Sequence, residues 1–245
     1  MLKVSRLTKS FGALSVLEEF DLNVPRKGFT VLIGPSGCGK TTLFDVLTGV
    51  VPKNDGIISW LGESLPHLGM KSAYMQQKDL LLPWFSLIDN ALLPARISGE
   101  NMPAAYEKAL GLFKRLGLEG FETYFPAEIS GGMRQRCALV RTLMFEHELV
   151  LLDEPLSALD AITRKSLQSL LLLLQSEFDR SILMITHDIE EALVLADEVL
   201  VLSRMPMKIL QRFTLDDPKP RRLADSRLID IKEDVLRRLQ QELKT

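Results

Sequence analysis

Short apolar runs bounded by turn residues recur along the chain: Phe29 to Ile33, Ala73 to Gln76, Leu149 to Leu152, Ile182 to Thr186 and Val199 to Leu202. Each has the length of a strand and little polar interruption, which predicts strands buried on both faces. Between them lie longer segments of helical period. Leu167, Leu170, Leu171, Leu174 and Phe178 fall on one helix face, and Ala105, Ala109, Leu112, Phe113 and Leu116 on another. Buried strands interleaved with such helices predict an α/β fold with a parallel sheet covered on both sides.

Two stretches break this rhythm. Leu2 to Leu7, Leu14 to Val24 and Gly56 to Trp60 read as strands joined by turns, predicting an antiparallel patch beside the parallel core. From Lys78 to Ser130 there is no strong strand pattern. Helical period and breaks at Pro83, Pro94, Pro103 and Pro126 predict an inserted helical lobe. After Arg204, the prolines at 206, 218 and 220 mark an irregular connector, followed by Leu228, Ile231, Val235, Leu239 and Leu243 at helix spacing. With Asp230, Glu233 and Asp234 in its sequence, this last helix is expected to pack on the core rather than on anionic lipid.

Composition narrows the functional classes. The 245 residues are 46% apolar and 25% charged, with mean hydropathy +0.10, which suits one large domain with a lobe and excludes a disordered or disulfide-built chain. Thirty basic against thirty-two acidic residues leave a net charge of −2, so there is no electrostatic reason to expect a nucleic-acid partner. The longest pure apolar stretches, such as Leu170 to Leu174, fall far short of the roughly 20 residues that span a bilayer. No secretory apolar run follows Met1, and the only cysteines, Cys38 and Cys137, suit a reducing cytosolic address.

The candidate chemistry begins at Gly34-Pro35-Ser36-Gly37-Cys38-Gly39-Lys40-Thr41, with Thr42 following. It fits G-x-x-x-x-G-K-[ST] between an apolar strand and a helix expected to start at Lys40. Glycines let backbone N–H groups converge on phosphate oxygens, and the helix dipole faces the same anion. Lys40 would reach the outer phosphates and the Thr41 hydroxyl would ligate magnesium. Cys38 occupies a variable slot and reads as a small filler. A glycine-rich turn with no ligand would not need those flanking elements.

A second signal is Leu149-Val150-Leu151-Leu152-Asp153-Glu154-Pro155, a buried-strand pattern that ends in two carboxylates. Charge there is costly unless a cation or substrate compensates it. Asp153 would hold magnesium and Glu154 would polarise the attacking water.

Between the two comes Ile129-Ser130-Gly131-Gly132-Met133-Arg134-Gln135-Arg136, and on this run the chain resembles an ATP-binding cassette (ABC) ATPase. Ser130 is a natural N-cap, and the two glycines leave the next helix start sterically open. The family's usual Leu is Ile129 here. By that resemblance, Ser130, Gly131 and Gly132 cap the γ-phosphate held by the other protomer of a head-to-tail homodimer. Gln77 matches the loop glutamine near magnesium and the attacking water, with Gln76 beside it leaving the register open. Ser157-Ala158-Leu159-Asp160 matches the loop that crosses the dimer interface, and His187 the switch histidine. Phe11 sits where the family stacks an aromatic on adenine, and it could equally be core. His67 and His147 have no such context and are expected at the surface.

The resemblance covers roughly residues 2 to 205. It implies a single ABC ATPase domain over 1–245, with 1–77 and 131–204 as nucleotide-binding core, 78–130 as helical insertion and 205–245 as tail. It also implies ATP and Mg2+ as cofactors. Leu80-Leu81-Leu82-Pro83-Trp84-Phe85 and the later Pro218-Lys219-Pro220-Arg221 resemble importers of the nitrate, sulfonate and taurine type. Such subunits work with integral membrane permeases and an extracytoplasmic binding protein, at the cytoplasmic face of the inner membrane. The other readings are an exporter ATPase or a soluble ABC ATPase of DNA repair or the ribosome.

Overall fold

The computed structural model describes residues 1–157 and 159–244, without the side chains of Leu243 and Lys244. Along the chain, β1 (Leu2–Phe11), β2 (Leu14–Val24) and β3 (Phe29–Ile33) lead into α1 (Lys40–Thr48). There follow β4 (Asp55–Trp60), β5 (Glu63–Leu65) and β6 (Ser72–Met75). Three helices come next, α2 (Leu87–Ala91), α3 (Leu93–Ser98) and α4 (Met102–Arg115), with no strand from residue 76 to α5 (Gly131–Met144). The chain closes through β7 (Leu149–Asp153), α6 (Ala161–Ser176), β8 (Ser181–Ile185), α7 (Ile189–Leu195), β9 (Glu198–Leu202), β10 (Ile209–Thr214) and α8 (Ser226–Lys244).

Two sheets form. One is antiparallel in the order β2-β1-β4-β5, and the other runs β10-β9-β3-β8-β7-β6. In the second sheet β9, β3, β8, β7 and β6 are parallel to their neighbours, and only β10 pairs antiparallel, on β9. The reason its central strands are largely apolar is visible in which core each residue enters. Leu149 and Leu151 of β7 and Leu183 and Ile185 of β8 face α1 and the antiparallel sheet. Val150, Leu152, Ile182 and Met184 face the other way, into the core shared with α5 and α6. Alternation of side chains across a strand with both faces covered yields that pattern.

The helices of residues 87–115 pack on α5 through Leu87, Ile88, Ala91, Ala95, Ala109 and Phe113, all buried in the same core. The expected face of α4 is partly realised: Leu112 is only half-buried, and Leu116 is buried just beyond the helix end. Phe178 departs further from expectation. The helix α6 stops at Ser176, and Phe178 stands 49% exposed rather than continuing the apolar face.

The connector after Arg204 is not irregular throughout, because β10 extends the parallel sheet at its edge. An edge strand has one neighbour and half-buried, alternating positions, so its apolar signal is weak. Arg221, only 8% exposed, donates to the carbonyls of Leu193, Ala196, Leu215 and Asp217 and ties the following loop to α7. The last helix α8 buries Leu228 and Val235, with Ile231 and Leu239 partly covered, against α7 and β9. The side chain of Leu243 lies outside the described residues.

Candidate active site

The phosphate loop occupies the turn from β3 to α1, at the carboxyl ends of the parallel strands. Gly37 (φ +76°) and Gly39 (φ +105°) adopt backbone angles that L side chains rarely take. A Cβ on Gly39 would also lie 2.5 Å from Val16 Cγ1 of β2, so glycine is required there twice over. Gly39 is the N-cap of α1 and offers no side chain, which leaves the first N–H groups of that helix for a ligand. Lys40 is 8% exposed, and its ammonium donates to the carbonyls of Gly34 (2.8 Å) and Pro35 (2.9 Å). Cys38 is buried, and burial pushes its thiol above the usual range, which suits an inert filler.

Asp153, at the end of β7, lies across the cleft from α1 and accepts a 2.8 Å hydrogen bond from the Thr41 hydroxyl. It is 1% exposed, and burial pushes its carboxyl up to about 6, against the stabilising pull of that hydroxyl. A buried carboxylate beside a hydroxyl is an oxygen-only donor set, which fits Mg2+ accompanied by phosphate oxygens. Among the described residues no group of three or more His, Cys, Asp or Glu could hold a metal alone, so the cation fits here together with the nucleotide.

Glu154 follows with φ +50°, an uncommon conformation for a residue with a side chain. Its backbone is held on both sides. Its N–H donates to Ile185 (2.9 Å), and its carbonyl accepts from Gln135 Nε2 (3.0 Å) and from the Ser157 hydroxyl (3.0 Å). The side chain is thereby turned toward Gln77, whose Nε2 donates to Glu154 Oε2 at 3.3 Å, and toward His187, whose Nδ1 stands 3.3 Å from the same oxygen. It is Gln77, and not Gln76, that reaches Glu154 here.

These residues line one cleft. A hollow of about 470 Å³ is walled by Phe11, Val16, Gly37, Gly39, Lys40, Thr41, Thr42, Gln77, Asp153 and Glu154. Past Leu14, Ser36, Gly37 and Met205 it meets a second hollow of about 660 Å³, lined also by Gly34, Pro35, Cys38, His187, Arg204 and Leu239. Phe11 is half-exposed at the end of β1, with the Lys9 ammonium 4.6 Å from its ring centre. It is a wall of the cleft rather than core.

Ser130, Gly131 and Gly132 are not brought to this cleft. Ser130 caps α5 by accepting from Met133 N at 3.3 Å, and both Ser130 and Gly131 are exposed. Ser157, Leu159 and Asp160 follow the acidic strand end, Asp160 capping α6, and Ala158 lies outside the described residues. Of the remaining histidines, His67 is exposed, while His147 is half-buried against Phe145, and burial lowers its pKa.

Several site residues are not evident from sequence. Leu14, Val16, Arg204, Met205 and Leu239 reach the cleft from β2, the β9–β10 turn and α8, and only the fold brings them there. Gln135 had a partial signal, since it belongs to the Ser-Gly-Gly-x-x-Gln run, but its bond to the Glu154 carbonyl crosses from α5 to β7.

The chain is similar to known proteins in sequence and in fold. The family model described as ABC transporter matches residues 17–157. The chain is 39% identical over 221 residues to a taurine import ATP-binding protein TauB of Rhizobium johnstonii, covering 88% of this chain and 84% of that protein. It is 37% identical over 247 residues to the TauB protein of Escherichia coli O157:H7, covering 98% and 97%. Among solved structures it is similar to a dimeric post-hydrolysis state of the ATP-binding cassette MJ0796 bound to ADP and Pi. There the TM-score is 0.81 at 25% identity, over 89% of this chain and all of that one.

Proposed function

This chain belongs to the ABC transporter family and is one of its ATP-binding, ATP-hydrolysing subunits; from that premise we propose that it drives import of a small sulfonate or related anion, two copies working head to tail. It uses ATP and Mg2+. Taurine enters as a candidate because the relatives named above are taurine import proteins.

In the proposed chemistry, Gly34 to Thr42 wrap the β- and γ-phosphates with backbone N–H groups, and Lys40 exchanges its bonds to the Gly34 and Pro35 carbonyls for phosphate oxygens. Thr41 and Asp153, with Gln77 nearby, would hold magnesium, which would supply neutralisation of the phosphate charge. Glu154 accepts a proton from the attacking water as its oxygen bonds to the γ-phosphorus and the bond to the ADP oxygen breaks. Gln77 and His187 flank the same carboxylate oxygen, orienting it toward that water, and His187 stands at the phosphate-loop side of the cleft. Phe11 offers a ring for the base.

One observation carries the dimer. The open helix start, with Ser130 and Gly131 exposed and Gly132 half-buried, lines no part of its own cleft, so a γ-phosphate could use it only from a second copy. Nucleotide then favours the closed pair because only ATP touches both copies, and hydrolysis removes that bridge.

Transmission to a permease has a physical route. Arg134 and Arg141 of α5 grip the segment just after Gln77, through the Asp79 carboxylate (3.1 Å) and the carbonyls of Asp79 (2.8 Å) and Leu80 (2.9 Å). Fully buried Asn90 then pins Leu82, Phe85 and Ser86 by backbone hydrogen bonds. The pinned loop displays Trp84, 67% exposed, close to where Leu87 and Ile88 donate to the Tyr124 and Glu122 carbonyls. Such an apolar face suits a short permease helix. Among the described residues no helix is long and apolar enough to cross a membrane, so the proposed place is peripheral, on the cytoplasmic face of the inner membrane, with an extracytoplasmic binding protein delivering substrate. In the same reading, residues 1–77 and 131–204 are the nucleotide-binding core, 78–130 the coupling lobe and 205–245 the tail.

The test is Glu154→Gln. The variant is expected to bind ATP, to lose activity by a factor on the order of 10²–10⁴, and to elute from size exclusion at twice the monomer mass in ATP. Wild-type turnover, or a monomer with ATP bound, would refute the reading.

A further inference from the structure

A hollow of about 270 Å³ lies where α4 meets the C-terminal halves of α5 and α6, and it shares no lining residue with the nucleotide cleft. Its floor is core: Leu143, Val150, Leu170 and Leu174 are each less than 9% exposed. Leu112, Phe145 and the half-exposed Phe178 form the walls. The rim is cationic, with Lys108, Arg115 and Arg180 against one carboxylate, Glu146. That carboxylate is already engaged by Lys108 at 2.9 Å, and Lys108 holds it below the usual carboxylate range. The surplus charge therefore sits on Arg115 and Arg180. Arg180 donates to the neutral His147 carbonyl and is close enough to act on the same Glu146 carboxylate, one negative charge against three positive ones, and Arg115 forms no ion pair among the described residues.

The opening is kept clear by Gly111. It stands inside α4, where glycine costs about 1 kcal/mol relative to alanine, and a Cβ built there meets nothing within 4 Å. An apolar floor with a net positive rim and an open mouth is complementary to one kind of molecule.

We propose that this hollow between α4, α5 and α6 binds a small soluble amphipathic anion, a medium-chain carboxylate or sulfonate, with its chain on Leu143, Leu170 and Leu174 and its head group at Arg115 and Arg180. The chain fills space that water cannot satisfy, and the head takes charge-assisted hydrogen bonds from guanidinium groups. Because α4 belongs to the lobe that carries Trp84 while β7 ends at Asp153, an occupant bridges both regions.

The test titrates the full chain with sodium decanoate and, separately, with decanol, both below micelle-forming concentrations, by calorimetry. Decanoate is expected to bind saturably, with decanol at least about tenfold weaker. Arg115→Glu, a surface change, should weaken decanoate by a similar factor. Gly111→Phe plugs the mouth and should abolish binding while MgATP affinity stays at the wild-type value. Equal binding of decanol and decanoate overturns the anion assignment. Absence of saturable decanoate binding, or decanoate affinity unchanged in both variants, overturns the site. Arg115-dependent sedimentation with phosphatidylglycerol vesicles, without decanoate binding, would also overturn it in favour of a membrane contact.

Discussion

In the proposed mechanism two helix starts in this chain serve the same anion and differ in who completes them. Helix α1 begins at Gly39 with no side-chain cap, and its first residue, Lys40, is 8% exposed. Its surroundings, from Val16 to Asp153, are supplied by the chain itself. Helix α5 begins at Ser130, which caps one N–H, with Ser130 and Gly131 exposed and Gly132 half-buried. A helix start left uncapped in a cleft awaits a ligand, whereas a capped, exposed one is stable without it and free to meet a ligand brought by another molecule. The contrast fits the proposed site, which binds nucleotide in one copy and fires only in two.

The largest effect should come from disabling the two starts in different copies. Lys40→Ala removes the charge at α1, and Ser130→Arg blocks the face at α5. Each alone is expected to lower ATPase activity on the order of 10²-fold or more. Mixed together they should recover a measurable share of activity, because one of the two interfacial sites then joins an intact Lys40 to an intact Ser130. No recovery on mixing, with both variants folded and able to dimerise, would break the comparison.

The next effect separates a buried charge from an exposed cap. In the folded, nucleotide-free and magnesium-free protein the Asp153 carboxyl is raised from 3.8 to about 6. An acid with a raised folded pKa lowers stability as pH climbs between those two values, and the deficit is complete above the upper one. Removing it with Asp153→Asn should leave stability unchanged below pH ~4 and raise it by up to roughly 3 kcal/mol above pH ~7, read as a Tm difference that grows with pH. At the exposed start, Ser130→Ala should instead cost about 1 kcal/mol at every pH. A pH-independent Asp153→Asn difference would contradict this.

The smallest effect concerns the wall at Phe11. Stacking on a base is worth about 1–3 kcal/mol, so Phe11→Ala should weaken ATP by roughly tenfold or somewhat more, with inorganic triphosphate unaffected. Equal loss for both ligands would make Phe11 a structural wall.

Much of the site is legible because its determinants are local. Gly37, Gly39 and Lys40 act through the backbone angles and dipole of one turn. Asp153 and Glu154 stand out because a buried strand stops at them. Phe178 misled, since helical spacing continues past the residue where α6 ends. The strand β10 was hidden for a related reason: an edge strand presents half-buried, alternating positions with little apolar contrast.

What the sequence alone determined is the order of elements apart from β5 and β10, the phosphate loop, the acidic strand end and the capped start of α5, because periodicity, turn chemistry and N-capping each operate within a few residues. Only the tertiary structure decided that Gln135 of α5 braces the Glu154 backbone, that Arg134 and Arg141 hold the segment after Gln77, that Gln77 rather than Gln76 meets Glu154, and that Ser130 stands outside its own cleft. Those contacts join residues far apart in the chain, and a hydrogen bond of about 3 Å exists only once two packed sheets and a helical lobe have set both partners in place.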